Sequence, residues 1–214
     1  MKDDPAAQYI RDLFVHDDEH LASLRAESEA RGFPQIHLSP EEGLLLHFLL
    51  RSAGVRRVVE IGTLAGYSAT WIARALPADG RLISLERNPE HAALAREYLA
   101  RAGLDGRVEI RLGAALDLLQ TLSAEGPFDA VFLDADRKNY LAYLSWVLDN
   151  LRVGGLIFAH NAFMRGRIFD PSLHSDPEVK GMLEFTRRIA EDPRLVSLVI
   201  PMGDGFVAAL RVEA

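Results

Sequence analysis

Val58-Val59-Glu60-Ile61-Gly62-Thr63-Leu64-Ala65-Gly66 reads as an apolar strand that passes an acidic residue and enters a glycine-rich turn. A second apolar strand, Arg81-Leu82-Ile83-Ser84-Leu85-Glu86, follows and ends in another acid. The turn lets backbone come close to a ligand, and a carboxylate at the tip of the next strand can accept both hydroxyls of a ribose. Together they describe a nucleotide-sized pocket in an α/β fold.

Outward from this pair the chain alternates. Strands are expected near 57–61, 81–86, 107–112, 128–133 and 154–159, and helices near 67–76, 89–102, 114–123, 138–151 and 178–191. The strands are continuous apolar runs such as Ala130-Val131-Phe132-Leu133, which is how strands buried on both faces read. The expected fold is therefore a mostly parallel, doubly wound sheet with helices on both faces. Beyond 192, Leu195–Ile200 and Phe206–Arg211 are joined by Pro201-Met202-Gly203-Asp204-Gly205, a turn-rich link that predicts a hairpin and so an antiparallel pair closing the sheet.

Upstream, Ser39-Pro40-Glu41-Glu42 is a helix start: serine caps, proline suits the first helical position, and Glu42 stands three residues after the cap. That helix runs through Leu44–Leu50 and stops near Gly54, and Asn88-Pro89-Glu90 opens another by the same logic. Residues 6–30 read as one helix carrying Ile10, Leu13, Phe14, Leu21 and Leu24. His16 and His20 lie four apart on it, but Asp17-Asp18-Glu19 between them is not a zinc-protease arrangement, and both read as surface residues on an acidic helix. With no internal repeat or linker, the expectation is one domain over 1–214, in which the helices of 1–54 contribute to a substrate pocket and 55–214 form the core.

Composition narrows the function. A chain of 214 residues, 49% hydrophobic and 26% charged, suits one ordinary globular domain. A net charge of -7 argues against a nucleic-acid partner, which needs a basic face. The lack of cysteine excludes disulfides, thiolate metal sites and cysteine nucleophiles. No stretch approaches a membrane span and the first residues lack an apolar signal region, so a cytoplasmic, non-membrane protein is expected.

The glycine spacing distinguishes the nucleotide. Dinucleotide folds carry G-x-G-x-x-G, whereas here Glu60-x-Gly62-x-x-x-Gly66 leaves no tight pyrophosphate cradle. Glu60 would repel phosphate and attract a cation. S-adenosylmethionine, with an ammonium, a sulfonium and no phosphate, fits this loop better than NAD; the alternatives are a nicotinamide-dependent dehydrogenase and a turn that holds no ligand. Asp134, Ala135 and Asp136 follow the fourth strand and His160-Asn161 the fifth, at the strand ends where doubly wound sheets bind ligands. Asp134, His160 and Asn161 could form an open divalent-metal site. Equally, Asp134 and Asp136 could cap the next helix, and His160 could be a core residue.

These residues resemble the cation-dependent class I O-methyltransferases, the group of catechol and caffeoyl-CoA O-methyltransferases and their bacterial relatives. The resemblance is carried by Leu38-Ser39-Pro40-Glu41-Glu42-Gly43, the 59–68 turn, Leu85-Glu86, Phe128–Asp136, Asn139-Tyr140, Gly154–Ile157, Asn161 and Pro201–Gly205. It implies a Rossmann-like sheet of seven strands, the last antiparallel, and a homodimer. It implies methyl transfer from S-adenosyl-L-methionine to a hydroxyl of a small phenolic acceptor. Carried over, Leu38, Glu60, Gly62, Thr63, Ser68, Glu86, Ala115, Asp134 and Asp136 would lie at the donor, with Glu86 on the ribose and Ala114 and Ala115 beside adenine. The family often has an acid at position 114, so contact there would be through backbone.

Asp134, His160 and Asn161 fall on the metal positions, and His160, Arg137 and Lys138 on the catalytic ones. Two departures lie here: the family's Asp-Asn pair is His160-Asn161, and its lysine is Arg137, with Lys138 next. Neutral His160 would weaken magnesium and favour a softer ion such as manganese, or would itself be the general base without a metal. Arg137, always protonated, is a poor base but suits a phenolate; Lys138 serves only if turned inward. Ala162–Phe169 would line the acceptor pocket, with Phe163, Met164 and Phe169 against a ring and Arg165 and Arg167 either meeting an acidic acceptor or solvated. A catalytically silent S-adenosylmethionine-binding protein is the rival from another class.

Overall fold

The structure, a computed structural model, describes residues 5–15 and 18–213. In chain order the elements are α1 (Pro5–Phe14), α2 (Glu19–Ala30), α3 (Pro40–Ser52), β1 (Arg57–Ile61), α4 (Tyr67–Ala75), β2 (Arg81–Glu86), α5 (Pro89–Arg101), β3 (Val108–Leu112), α6 (Ala115–Leu122), β4 (Phe128–Leu133), α7 (Tyr140–Asn150), β5 (Leu151–Ala159), α8 (Pro177–Glu191), β6 (Leu195–Ile200) and β7 (Phe206–Arg211). Seven strands form one sheet in the order β3-β2-β1-β4-β5-β7-β6. β2 runs parallel to β3, β1 to β4 and β4 to β5. β7 is antiparallel to β6, as the short 201–205 turn requires, and also to β5. No helix among the described residues is long and apolar enough to cross a membrane.

By contacts the chain divides into two compact units. One holds the residues through Arg56 and Thr63–Leu112, the other Arg57–Gly62 and the residues from Gly113 onward. In the first unit α3 begins with a reciprocal capping box. Ser39 Oγ accepts the Glu42 N–H at 3.2 Å, and Glu42 Oε2 accepts the Ser39 N–H at 2.8 Å. This satisfies two helix-end donors that would otherwise be orphaned. Gly43 brings α3 hard against α4: a Cβ there would lie 2.3 Å from the Trp71 indole nitrogen.

The segment expected as one helix over 6–30 is two. Asp18 caps α2, its carboxylate accepting the Leu21 N–H at 3.0 Å, and a capping side chain draws its residue out of helical conformation. His16 lies outside the described residues. His20 is half-buried, its ring 5.5 Å from that of Tyr98. Burial, then the positive charge of Arg74, lowers its pKa, so it is not the solvated surface histidine the pattern implied.

In the second unit Val58–Ile61 and Ala130–Leu133 are fully buried, as are Ile157, Phe158 and Ala159. Each large apolar side chain so buried contributes about 1.5–3 kcal/mol. β6 has the opposite character, with Val196, Leu198 and Val199 exposed. The helix expected from 138 begins at Tyr140, after a 3-10 turn over Arg137–Asn139.

Candidate active site

In the first unit the Glu86 carboxylate closes the glycine-rich loop. Oε2 accepts the Leu64 N–H at 2.8 Å and the Thr63 N–H at 3.3 Å, and Oε1 accepts the Asn88 N–H at 2.8 Å. A carboxylate offers about four acceptor positions, so three are taken by backbone and roughly one is left, with the His91 ring nitrogen 3.7 Å from Oε1. Leu64 sits at φ 50° and Gly66 at φ 90°. Gly66 is needed for a second reason, since a Cβ there would lie 3.1 Å from the Ala95 Cβ on α5. Thr63 Oγ1 and Ser84 Oγ share a short hydrogen bond beneath the turn. Ser68, in the first turn of α4, and Leu38, just before the α3 cap, are both buried.

In the second unit Glu60 is fully buried on β1, in register with Phe132. Gly62 follows at φ 100°, and a Cβ there would lie 2.2 Å from the Asp134 carbonyl oxygen. No other residue permits that approach, which lets the Asp134 N–H donate to the Ile61 carbonyl at 2.9 Å. The His160 N–H in turn donates to the Leu133 carbonyl at 3.1 Å. The main-chain ladder thus runs past the strand ends and brings Asp134 and His160 side by side.

Asp134 Oδ2 lies 3.3 Å from His160 Nδ1, and Oδ1 accepts from Arg137 Nη2 at 3.1 Å. His160 is 3% exposed and the Arg137 side chain 18%. Burial by itself lowers the Arg137 pKa; the fields of Tyr140, Asp134, Glu178 and Asp204 override it, and the net shift is upward. Lys138 is exposed.

Asp136 does not cap the following helix: no backbone N–H bonds to its side chain. It accepts instead from the Tyr143 hydroxyl at 2.6 Å and from the Asn139 amide. Burial, then this bond to Asp136, pushes the Tyr143 pKa up. Tyr143 and Glu178, which accepts the Arg137 N–H at 2.7 Å, belong to the site and were not singled out from sequence. The helical spacing from Asp136 to Asn139 and Tyr143 was the available signal for the first; nothing local points to the second. Ala114 is exposed and Ala115 partly so, at the uncapped start of α6.

Asn161 adopts φ 58° directly after His160. Among the described residues its side-chain amide has no hydrogen-bond partner. The chain beyond it is tied to the β6–β7 turn by Ala162 N–H to Gly205 O at 2.9 Å and Phe163 N–H to Asp204 O at 2.8 Å. Both Asp204 carboxylate oxygens accept the Arg165 N–H, at 2.8 and 2.7 Å, which holds Met164 and Arg165 at φ 50° and 56°. The Phe163 and Phe169 ring centroids lie 5.6 Å apart with the rings tilted by 42°, and Phe169 is exposed. Arg167 pairs with Asp176 at 2.8 Å, while Arg165 is exposed.

The donors at 134, 160 and 161 do not fit a divalent cation well. Their single anion, Asp134, already carries a guanidinium on one oxygen and an imidazole on the other. A dication and a guanidinium on one carboxylate, roughly 5 Å apart, repel by about 7 kcal/mol at an effective dielectric near 20. Among the described residues no group of three or more histidine, aspartate or glutamate side chains is placed to hold a metal.

The pattern of a family described as O-methyltransferase matches residues 11–212. A catechol O-methyltransferase of Niastella koreensis is 39% identical over 196 residues, covering 91% of this chain and 88% of that one. The O-methyltransferase of Bacillus cereus, solved with SAH, superposes with a TM-score of 0.90 at 37% identity, covering 96% of each chain. An O-methyltransferase of Streptomyces achromogenes involved in tomaymycin synthesis, solved with SAM, gives a TM-score of 0.90 at 36% identity over 97% of this chain and 96% of that one.

Proposed function

The chain belongs to the O-methyltransferase family, and from that premise we propose that it moves a methyl group from S-adenosylmethionine to one hydroxyl of a small catechol-type phenol. The observation that carries the acceptor chemistry is the part-buried Asp134–His160 contact at the ends of β4 and β5. Catechol is the acceptor named for the similar Niastella koreensis enzyme.

Methyl transfer to oxygen is an in-line displacement, and a phenol must lose its proton to be a good nucleophile. His160 takes that proton. An Nδ1–H donated to Asp134 fixes the tautomer whose lone pair is on Nε2, and Asp134 then supports the imidazolium that forms. The phenolate oxygen attacks the methyl carbon, the carbon–sulfur bond breaks with its pair on sulfur, and the sulfonium becomes a thioether. Opposite charges are neutralised, so a partly dry site favours the transition state. Asp136, anchored by Tyr143 and Asn139, and buried Glu60 are assigned to the cationic donor. Glu86 is assigned to the ribose through its remaining acceptor position, and Leu38, Gly62, Thr63, Ser68 and Ala115 to the rest of the donor. Phe163, Met164 and Phe169 face the acceptor ring.

A homodimer in the cytoplasm completes the reading; the exposed Val196, Leu198 and Val199 on β6 support self-association, and molecular mass in solution tests it. The central test is a panel of catechols incubated with the purified chain and S-adenosylmethionine, alongside calorimetry with the donor and S-adenosylhomocysteine. The expected result is micromolar binding of both and methylation of at least one catechol. Binding without transfer to any acceptor identifies a catalytically silent donor-binding protein, and no binding overturns the proposal.

A further inference from the structure

Resting on the methyl-transfer reading above, we infer that Arg137 takes the place of a divalent cation: its guanidinium binds the acceptor oxygen as the proton leaves, and transfer needs no metal ion. The position of Arg137 is clamped from two sides. Its N–H donates to Glu178 Oε2 at 2.7 Å, and α8 comes so close that a Cβ on Gly181 would lie 2.3 Å from its carbonyl oxygen. Both contacts come from α8, an element far away in sequence. A plain ion pair three residues apart along the chain requires neither of them.

The Arg137 guanidinium is also not spent on its carboxylate, as that of Arg194 is on Asp192 with two N–H bonds at 2.9 and 2.8 Å. Here Nη2 gives one bond to Asp134 at 3.1 Å, while Nη1 turns to the Ala135 carbonyl at 2.9 Å. Of five guanidinium N–H groups, the other three have no acceptor among the described residues. Asp134, Glu178 and Asp204 stabilise the charge. The result is a fixed, half-buried cation with spare donors, on the carboxylate that also touches His160.

The chemistry balances without a metal. The acceptor O–H proton passes to His160, the oxygen lone pair forms the new O–C bond, and the C–S pair returns to sulfur. Arg137 neutralises the oxygen's charge between the first event and the second. A positioned donor of this kind contributes about 10²–10³-fold in rate.

The test compares wild type with Arg137→Met and Arg137→Lys on one methylated catechol, with excess chelator and with added magnesium or manganese. Calorimetric titration with manganese alone and with S-adenosylmethionine accompanies it. The expected outcome is a wild-type rate unchanged by chelator and no heat with manganese. Arg137→Met should lower kcat about 10²–10³-fold at unchanged donor affinity, and Arg137→Lys should recover part of the loss. Wild-type transfer that stops in chelator and returns with manganese overturns the inference, as does an unaltered kcat in Arg137→Met. The wild-type chelator arm decides the matter even if neither variant folds. Absence of transfer under every condition instead overturns the methyl-transfer reading, and this inference with it.

Discussion

Glu86 and Asp134 are both carboxylates at the tips of parallel strands, and their charges are satisfied in opposite ways. Glu86 accepts hydrogen bonds from three backbone N–H groups, of Thr63, Leu64 and Asn88, while the His91 ring nitrogen stands 3.7 Å from Oε1, beyond hydrogen-bond reach. Asp134 is held by two side chains, Arg137 and His160. Amide dipoles are part of the chain's path; they carry no net charge and exchange no proton. A guanidinium and an imidazole can be lost by a single substitution, and the imidazole can take up a proton. In the proposed mechanism the first arrangement serves as a rigid receptor loop and the second as a reactive centre. One fold uses the same functional group for both, and the partners alone set the role.

Substitutions at the two carboxylates should separate those roles. Asp134→Asn removes the charge shared by Arg137 and His160, so kcat should fall about 10³-fold while donor affinity changes little. A loss confined to donor affinity would erase the contrast. Gly62→Ala forces a Cβ to 2.2 Å from the Asp134 carbonyl and strains a φ of 100°. Unfolding free energy should drop by about 3 kcal/mol or more, read by urea denaturation. Glu86→Ala orphans three amides and should cost roughly 2–4 kcal/mol together with donor binding, leaving kcat nearly intact at saturating donor; a large kcat defect at saturation would mean that Glu86 is not simply a receptor group.

A third carboxylate sharpens the comparison. Asp192 is buried and held by Arg194 and Arg188, with no imidazole beside it. Hydrogen bonds from Arg194 first, outweighing burial, bring its pKa down to about 2. A depressed carboxylate stabilises the fold above its ordinary pKa near 4, and that contribution fades as pH falls from about 4 toward 2. Wild type should therefore lose about 2 kcal/mol over that window which Asp192→Asn lacks. The smallest effect belongs to Ser39→Ala at the α3 cap, about 1 kcal/mol in thermal unfolding with no change in kcat.

Most of the fold was legible because its signals are local. Ser39 and Glu42 are three residues apart and meet in the capping box, and Asn88 caps as its Asn-Pro-Glu context indicates. Unbroken apolar runs marked β1, β2 and β4 as strands covered on both faces, and the 201–205 turn marked the hairpin. The break between α1 and α2 escaped because Phe14 and Leu21, seven residues apart, stay in helical phase across the polar residues between them, while Asp18 starts α2 afresh as its cap.

By itself the sequence determined where the strands and most of the helices form, which strand tips carry acids, and that the turn after β1 must be glycine-rich, since backbone preference and burial period act over a few residues. The tertiary structure alone decided what those acids touch. The Asp134–His160 contact joins residues 26 apart, and Glu178 reaches the Arg137 amide across 41. The charge state and direction of such groups depend on neighbours that only the packed chain supplies, because electrostatic coupling acts through space and takes no account of separation along the chain.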